Sequence, residues 1–326
     1  MKRILLTGAS GFIGSHVAAC AVRRGYEVVA LVRDPGAYRA PHGAVRVVKG
    51  DVRDAAAVRR ALRGCDAVIH AAALYTFDAA QARAMREVNV GGTETVLRAG
   101  LTAGVERIVY TGTVGGTAFS RDRLATEGDV AGAAAMTGPY KRSKFEAECR
   151  VRRVAAEGGP VVTVCPTAPV GPGDGKPTPT GRIVRDFLRR RMRAWVDTGL
   201  NFVHVGDVAE GHLLALERGD LGARYLLGNT AGNLTLRQAF AILSELTGIP
   251  PPRLRLPHAA VLAAAWASEL AGRALGRPPA IALEAARMAG GRMWVDPAWS
   301  VRALGLPQTP VRRALQEAVD WFGAHP

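Results

Sequence analysis

Thr7-Gly8-Ala9-Ser10-Gly11-Phe12-Ile13-Gly14 follows a short apolar run, Arg3–Thr7, and leads straight into a helical pattern over Ile13–Arg24. A glycine-rich turn between a first strand and a helix lets backbone approach a pyrophosphate. The helix N-terminus adds N–H donors and a partial positive charge. Three glycines at this spacing mean little alone, but a strand before and a helix after make the signal strong. Gly8, Ser10, Gly11, Phe12, Ile13 and Gly14 are therefore expected to cradle a dinucleotide.

Outward from this turn, short β-branched runs alternate with amphipathic stretches. Strands are expected at Arg3–Thr7, Glu27–Val32, Val45–Lys49, Ala67–His70, Arg107–Thr111 and Val161–Cys165, and helices at Ile13–Arg24, Ala55–Leu62 and Ala84–Ala103. Continuous apolar strands separated by helices form the pattern of βαβ units on a buried parallel sheet. The expected fold class is α/β, a doubly wound Rossmann sheet. After Pro166 the alternation stops, and Pro and Gly cluster over 166–181. Residues 1–166 are read as the NAD(P)-binding domain. Residues 167–326 are read mainly as a smaller C-terminal substrate lobe, interleaved with the sheet and not separately folding. Capping boxes are expected at Asp207-Val-Ala-Glu210 and Thr235-Leu-Arg-Gln238, and helices starting at Pro257 and Pro310.

The second strand ends in Leu31-Val32-Arg33-Asp34. An acidic residue usually closes this strand in NAD enzymes, bonded to the ribose 2′-hydroxyl. Here Val32 takes that position with Arg33 beside it, and a guanidinium suits a 2′-phosphate. NADP is favoured over NAD, with Asp34 still in reach of a ribose. Asp51 and Val52 follow the third strand, where Asp51 is placed to accept from the adenine amino group or to cap the helix before Ala55.

Tyr140 and Lys144 stand four residues apart, on one face of a helix. A phenol is a poor acid near neutrality, with a reference pKa of about 10, and a nearby cation lowers it. Tyr140 is the candidate to pass a proton at a substrate oxygen, and Lys144 to hold the nicotinamide ribose. Thr113 follows the fifth strand, whose carboxyl end faces the ligand crevice, so its hydroxyl can bond the same oxygen. Asn89 lies in a helix pattern that disfavours asparagine, which suits either a bond to water or backbone near the lysine or a satisfied buried amide.

These residues resemble the extended short-chain dehydrogenase/reductases, the NAD-dependent epimerase/dehydratase type. The TGxxGxxG turn, His70-Ala-Ala-Ala73, Asn89-Val-x-Gly-Thr and Tyr140/Lys144 match in order. Within that family the chain is similar to hopanoid-associated sugar epimerases, themselves similar to dihydroflavonol reductases. Lys176–Arg182, Val196–His204 and Ala209–Glu217 carry that closer likeness. The resemblance implies Tyr140 as acid/base with Lys144 as partner and Thr113 in place of the usual serine. It also implies Ala71, Ala72 and Ala73 beside the nicotinamide, with Pro166 and Thr167 framing its carboxamide. The usual Asp-Asp before a later helix is Gly206-Asp207 here, where Asp207 can still cap. Hydride transfer at a C–OH/C=O carbon of a hydroxylated, sugar-like or ring substrate is implied, in a homodimer paired through Ala84–Ala103 and the Tyr140 helix. Three outcomes stay open: epimerisation, net reduction with NADPH, and nucleotide sensing without chemistry.

On the substrate side, Lys176 and Arg182 in a Pro/Gly-rich loop suit an acidic group or simply a solvated surface. Asn201 lies in the family-like stretch and is a further candidate. Tyr75 suits substrate contact or core packing, and His204 reads as structural. The chain carries a formal charge of +15, but only five of its 43 Lys and Arg residues are lysines. Scattered arginines without interleaved aromatics argue against nucleic acid and leave room for peripheral contact with acidic lipid. Four separated cysteines fit reduced thiols in a cytoplasmic protein, and no cluster has metal spacing. The start Met1-Lys2-Arg3-Ile4 reads as a strand and not a signal peptide. The apolar run Ala259–Ala267 is about half of what a bilayer crossing needs.

Overall fold

The computed structural model describes residues 2–41, 43–120, 122–275, 277 and 279–325. The first five strands lie where the periodicity puts them: β1 (Arg3–Thr7), β2 (Glu27–Val32), β3 (Val45–Lys49), β4 (Ala67–His70) and β5 (Arg107–Thr111). β6 (Val161–Pro166) runs one residue longer than expected. β7 (Ala168–Val170), β8 (Ala194–Val196) and β9 (Gly199–His204) lie outside the main sheet, whereas β10 (Arg224–Leu227) returns to it beside β6. The order is β10-β6-β5-β4-β1-β2-β3, and every pairing in this sheet is parallel.

Alternation within each strand sends side chains to both faces. Leu6, Ala30, Val162 and Val164 pack with α1 (Phe12–Arg23) and α7 (Val205–Arg218), through Val17, Ala21, Val208 and Leu213. Leu5, Val29, Val68 and Ile108 meet the other face's helices through Val58, Leu62, Val96, Leu97 and Val151. Those helices are α2 (Ala55–Leu62), α4 (Gly92–Ala103) and α5 (Pro139–Ala156).

The helix expected over Ala84–Ala103 is not one helix. α3 (Ala82–Arg86) passes through a π turn, Glu87–Gly91, before α4 begins. A π turn inserts one residue into the helical repeat, and this one carries buried Asn89.

A third cluster holds the C-terminal part together. α6 (Pro179–Leu188), α8 (Leu236–Thr247) and α12 (Val311–Ala324) bury Phe187, Phe240, Leu315 and Phe322, with Phe187 and Phe240 stacked at 5.8 Å. Strands β11 (Asn233–Thr235), β12 (Leu254–Leu256) and β13 (Arg292–Met293) form small sheets with β7, β8 and β9. The remaining helices are α9 (His258–Leu275), α10 (Leu283–Met288) and α11 (Ala298–Leu304). No described helix is long and apolar enough to cross a membrane.

The Thr235–Gln238 capping box is present in both directions, at 3.2 and 2.9 Å. The one expected at Asp207 is not. α7 already starts at Val205, and His204 caps it by accepting from Gly206 N at 3.0 Å. Asp207, inside the first turn, instead accepts from Thr309 N and Oγ1 at 2.7 and 2.8 Å, anchoring the entry to α12. The cap before Ala55 is likewise Asp54 rather than Asp51, because Asp54 accepts from Ala56 N and Ala57 N.

Candidate active site

One cleft at the carboxyl ends of the strands collects most of the residues singled out above. Gly8, Ser10, Gly11, Phe12, Ile13, Gly14, Arg33, Asp51 and Val52 line it at one end. Ala71, Ala72, Ala73, Thr113, Tyr140, Lys144, Pro166 and Thr167 line its middle, with Tyr75, Lys176 and Arg182 beyond.

At the glycine turn, Gly11 N donates to Gly8 O at 2.9 Å. Gly8 has φ +77°, and a Cβ there would lie 2.6 Å from the Ala71 carbonyl carbon. A Cβ on Gly14 would collide with the Gly8 carbonyl oxygen, so the helix can approach the turn only as glycine. The backbone shape fits a dinucleotide pyrophosphate.

The turn is braced by a buried polar string. Thr93 Oγ1 donates to Asn89 O at 2.6 Å, so it must accept from His70 Nε2 at 3.0 Å. His70 Nδ1 is then an acceptor for the Thr7 hydroxyl at 2.6 Å, and Thr7 Oγ1 accepts from Ala72 N at 3.3 Å. Every donor in the string has one acceptor, which fixes a neutral imidazole. Burial lowers the His70 pKa to about 3, in keeping with that state.

At the adenine end Arg33 is exposed and lines the cleft. Asp34 does not line the cleft; its Oδ1 accepts from Gly36 N and Ala37 N, at 3.0 and 3.4 Å, and holds its own turn. Asp51 is gripped by Arg53 at 2.9 and 3.0 Å, which keeps its carboxyl below the usual range.

Tyr140 and Lys144 face the cleft from the first two turns of α5. Lys144 Nζ donates to Thr111 O at 2.7 Å and lies 4.7 Å over the Tyr110 ring. The Tyr140 phenol, on the same face of α5, is shifted by its own surroundings. Burial pushes the phenol above its ordinary value, and the opposing influence is a hydrogen bond with the Thr113 side chain. Burial also brings Lys144 down to about 8, against the pull of Glu148, which favours the charged form. The ammonium is thus charged below about pH 8 and neutral above it, whereas an ordinary lysine holds its charge to about 10.4. We expect kcat/KM to fall on the alkaline side with a midpoint near 8. A profile flat to pH 10 would remove Lys144's charge from the chemistry.

Three groups near Tyr140 were not identified from the sequence. Tyr75, itself a candidate, stacks on Tyr140 at 4.3 Å, and Phe77 meets both rings edge-on at 5.5 and 6.5 Å. Glu148 continues the Tyr140–Lys144 stripe by four more residues and is buried against Arg224 at 3.3 Å. Its helical register was the signal available for it. Glu284, on α10, accepts from Tyr140 N and Lys141 N at 3.4 and 3.1 Å, capping α5. Gly138 precedes that helix at φ +106°, where a Cβ would collide with the Glu284 carboxylate. Nothing in the local sequence around Glu284 signals this.

Two candidates lie outside the cleft lining. Asn89 donates to Leu74 O and Ser143 Oγ, at 3.1 and 2.9 Å, and accepts from Leu74 N at 2.7 Å. It joins the Tyr75 loop to α5. Asn201 is satisfied by Asn229 and Asn233, at 2.8 to 3.0 Å, because it is the joint between β9 and the turn at 228–233. It does not reach the substrate end.

The model of the NAD dependent epimerase/dehydratase family matches residues 4–228. The chain belongs to that family. Members of the NAD dependent epimerase/dehydratase family and its relatives are NAD(P)-dependent enzymes, and the chain is an oxidoreductase of the extended short-chain dehydrogenase/reductase type. A Synechocystis sp. protein that carries the provisional name dihydroflavonol 4-reductase is 38% identical, over 98% of this chain and 94% of its own. Sterol demethylase protein B of Methylococcus capsulatus is 33% identical, over 98% and 97%. The crystal structure of gox2253 superposes with a TM-score of 0.87 at 37% identity, over 100% of this chain and 99% of the other.

Proposed function

We propose that this enzyme is an NADPH-dependent reductase acting at a ketone carbon of a ring-containing substrate. The observation that carries the reading is the pairing of Arg33, open to the cleft, with Asp34 committed to its own turn. That end offers a 2′-phosphate a cation in the cleft lining, while the neighbouring carboxylate of Asp34 stands outside that lining. When bound, the nicotinamide supplies the hydride that the carbonyl carbon accepts. The phenol of Tyr140 delivers the proton to the carbonyl oxygen, giving the alcohol. The Thr113 hydroxyl bonds that same oxygen, while its Oγ1 accepts from Gly115 N at 3.1 Å and is held in place. Lys144 has three donor hydrogens and spends one on Thr111 O, which leaves two for the nicotinamide ribose. The Tyr75 ring lines the cleft beside Tyr140 and offers a ring-containing substrate an apolar contact, and Lys176 and Arg182 suit an acidic group on it.

The test compares NADPH and NADH binding in wild type and Arg33→Ala. Loss of charge-assisted bonds of about 1.5–3 kcal/mol should weaken NADPH by roughly tenfold to a hundredfold and leave NADH nearly unchanged. Equal weakening of both would refute the 2′-phosphate role. A second reading, redox-neutral epimerisation of a sugar-like substrate, draws on the same Lys176/Arg182 pair, which suits a diphosphate. Mass spectrometry of nucleotide released on denaturation separates the two. Stoichiometric retained NAD+ or NADP+ favours epimerisation, and an empty site that prefers NADPH favours reduction.

A further inference from the structure

The apolar run Ala259–Ala267 belongs to α9, and its exposed side is unlike an ordinary surface helix. A helix packed on a protein normally turns polar residues to solvent. Every exposed side chain described on α9 is alanine, leucine or tryptophan. Ala259, Ala263, Trp266, Ala267, Leu270 and Ala274 share one face by helical spacing, while Ala265 and Gly272 are buried on the opposite one. Trp266 is 56% exposed, Leu270 72% and Leu275 69%, so these side chains are not half-covered core. Glu269 lies on a flank, and Ser268, on the covered side, accepts from Ile281 N through Oγ at 3.0 Å.

The charge around this face is mainly positive. Between Pro250 and Arg292 there are six arginines and two acids, and one of those acids, Glu284, is buried under the catalytic helix. Arg253 and Arg255 precede α9 and Arg277 follows it, all exposed. Arg287 lies 5.7 Å over the Trp266 ring.

We propose that the α9 face is a membrane-docking surface for an anionic phospholipid bilayer, with the helix lying in the plane of the interface. An apolar face carrying Trp and Leu and framed by arginines is the arrangement that partitions into the headgroup boundary. No described helix can span, so the geometry is that of lying on the bilayer. The 18-residue helix is about 27 Å long and about 10 Å wide. Such a face falls well short of the roughly 800 Å² per partner of a standard protein interface, and its alanines add little grip for a second copy. α9 packs on α10, and α10 delivers Glu284 to the first turn of the Tyr140 helix. The docked face is thus one helix away from the catalytic phenol.

Docking is read by sedimenting the full-length protein with phosphatidylcholine vesicles, with and without phosphatidylglycerol. Turnover plays no part, so a failure of docking is distinct from a failure of the reductase reading. Wild type should co-sediment with the anionic vesicles. Leu270→Glu and Ala267→Glu, both at exposed positions, should each reduce partitioning about tenfold or more with NADPH binding intact. Three results would overturn docking. One is the absence of wild-type binding to anionic vesicles. Another is binding that salt abolishes but neither substitution changes, which would reflect general attraction to a basic protein. The third is a dimer seen by light scattering that Leu270→Glu dissociates, which would assign the face to a second copy.

Discussion

Tyr140→Phe should lose turnover by about a hundredfold to ten-thousandfold while binding NADPH as wild type does. The phenylalanine ring keeps the stacking on Tyr75 and the edge contact with Phe77. Only the hydroxyl goes, and with it the hydrogen bond with Thr113 and the proton for the substrate oxygen. Backbone capping by Glu284 is untouched, since it uses the amides of Tyr140 and Lys141. Single-turnover rates measured with saturating NADPH separate chemistry from product release. Wild-type rates in this variant would mean that the proton comes from elsewhere, and the proposed mechanism would fall. Loss of NADPH binding in parallel would instead place the phenol in cofactor binding.

The largest stability effect is expected further along the same face of that helix. Arg224 opens β10 and reaches Glu148 at 3.3 Å, Glu127 O at 3.1 Å and Thr117 Oγ1 at 3.0 Å. Its side chain is 10% exposed and that of Glu148 4%. Removing one partner of a desolvated ion pair leaves the other charge buried alone, at a cost of about 3–5 kcal/mol. Arg224→Met should lower unfolding free energy by that amount in a denaturant titration. Adding Glu148→Gln removes the orphaned carboxylate and should recover much of the loss, so the two changes will be strongly non-additive. Additive losses, or a loss below about 1 kcal/mol, would show that the pair is solvated and does not hold the returning strand to the catalytic helix. Glu148 also favours the charged form of Lys144. The single Arg224→Met change, which frees that carboxylate from its other cation, should therefore move the alkaline limb of kcat/KM upward.

Local pattern carried the reading a long way in this chain. Five strands match residue for residue, four of them because buried parallel strands are continuous apolar runs bounded by turns, and the exposed edge strand β3 through its β-branched valines. The glycine turn was legible for a similar reason. At Gly14 the requirement for a residue without Cβ follows from the turn and the helix that adjoins it, eight residues in all, whereas Gly8 is also closed in by Ala71. Tyr140 and Lys144 could be placed on one helical face from spacing, and the same spacing extended to Glu148 would have included it.

Sequence alone therefore determined the Rossmann core, the nucleotide turn and the residue types gathered at the carboxyl ends of the strands. Tertiary structure decided what each polar group does there, because a hydrogen bond depends on a partner that can be anywhere in the chain. Asp207 looked like a cap, but Thr309, 102 residues away, takes both its oxygens. Asn201 looked like a ligand group and is consumed by Asn229 and Asn233. Lys144 holds the Thr111 carbonyl with its ammonium, a bond across 33 residues that spacing along one helix does not show. Glu284 gave no local sign at all, yet it caps the catalytic helix from 144 residues further on. Hydrophobic periodicity is written into neighbouring residues, whereas desolvation and polar pairing exist only once distant segments have met.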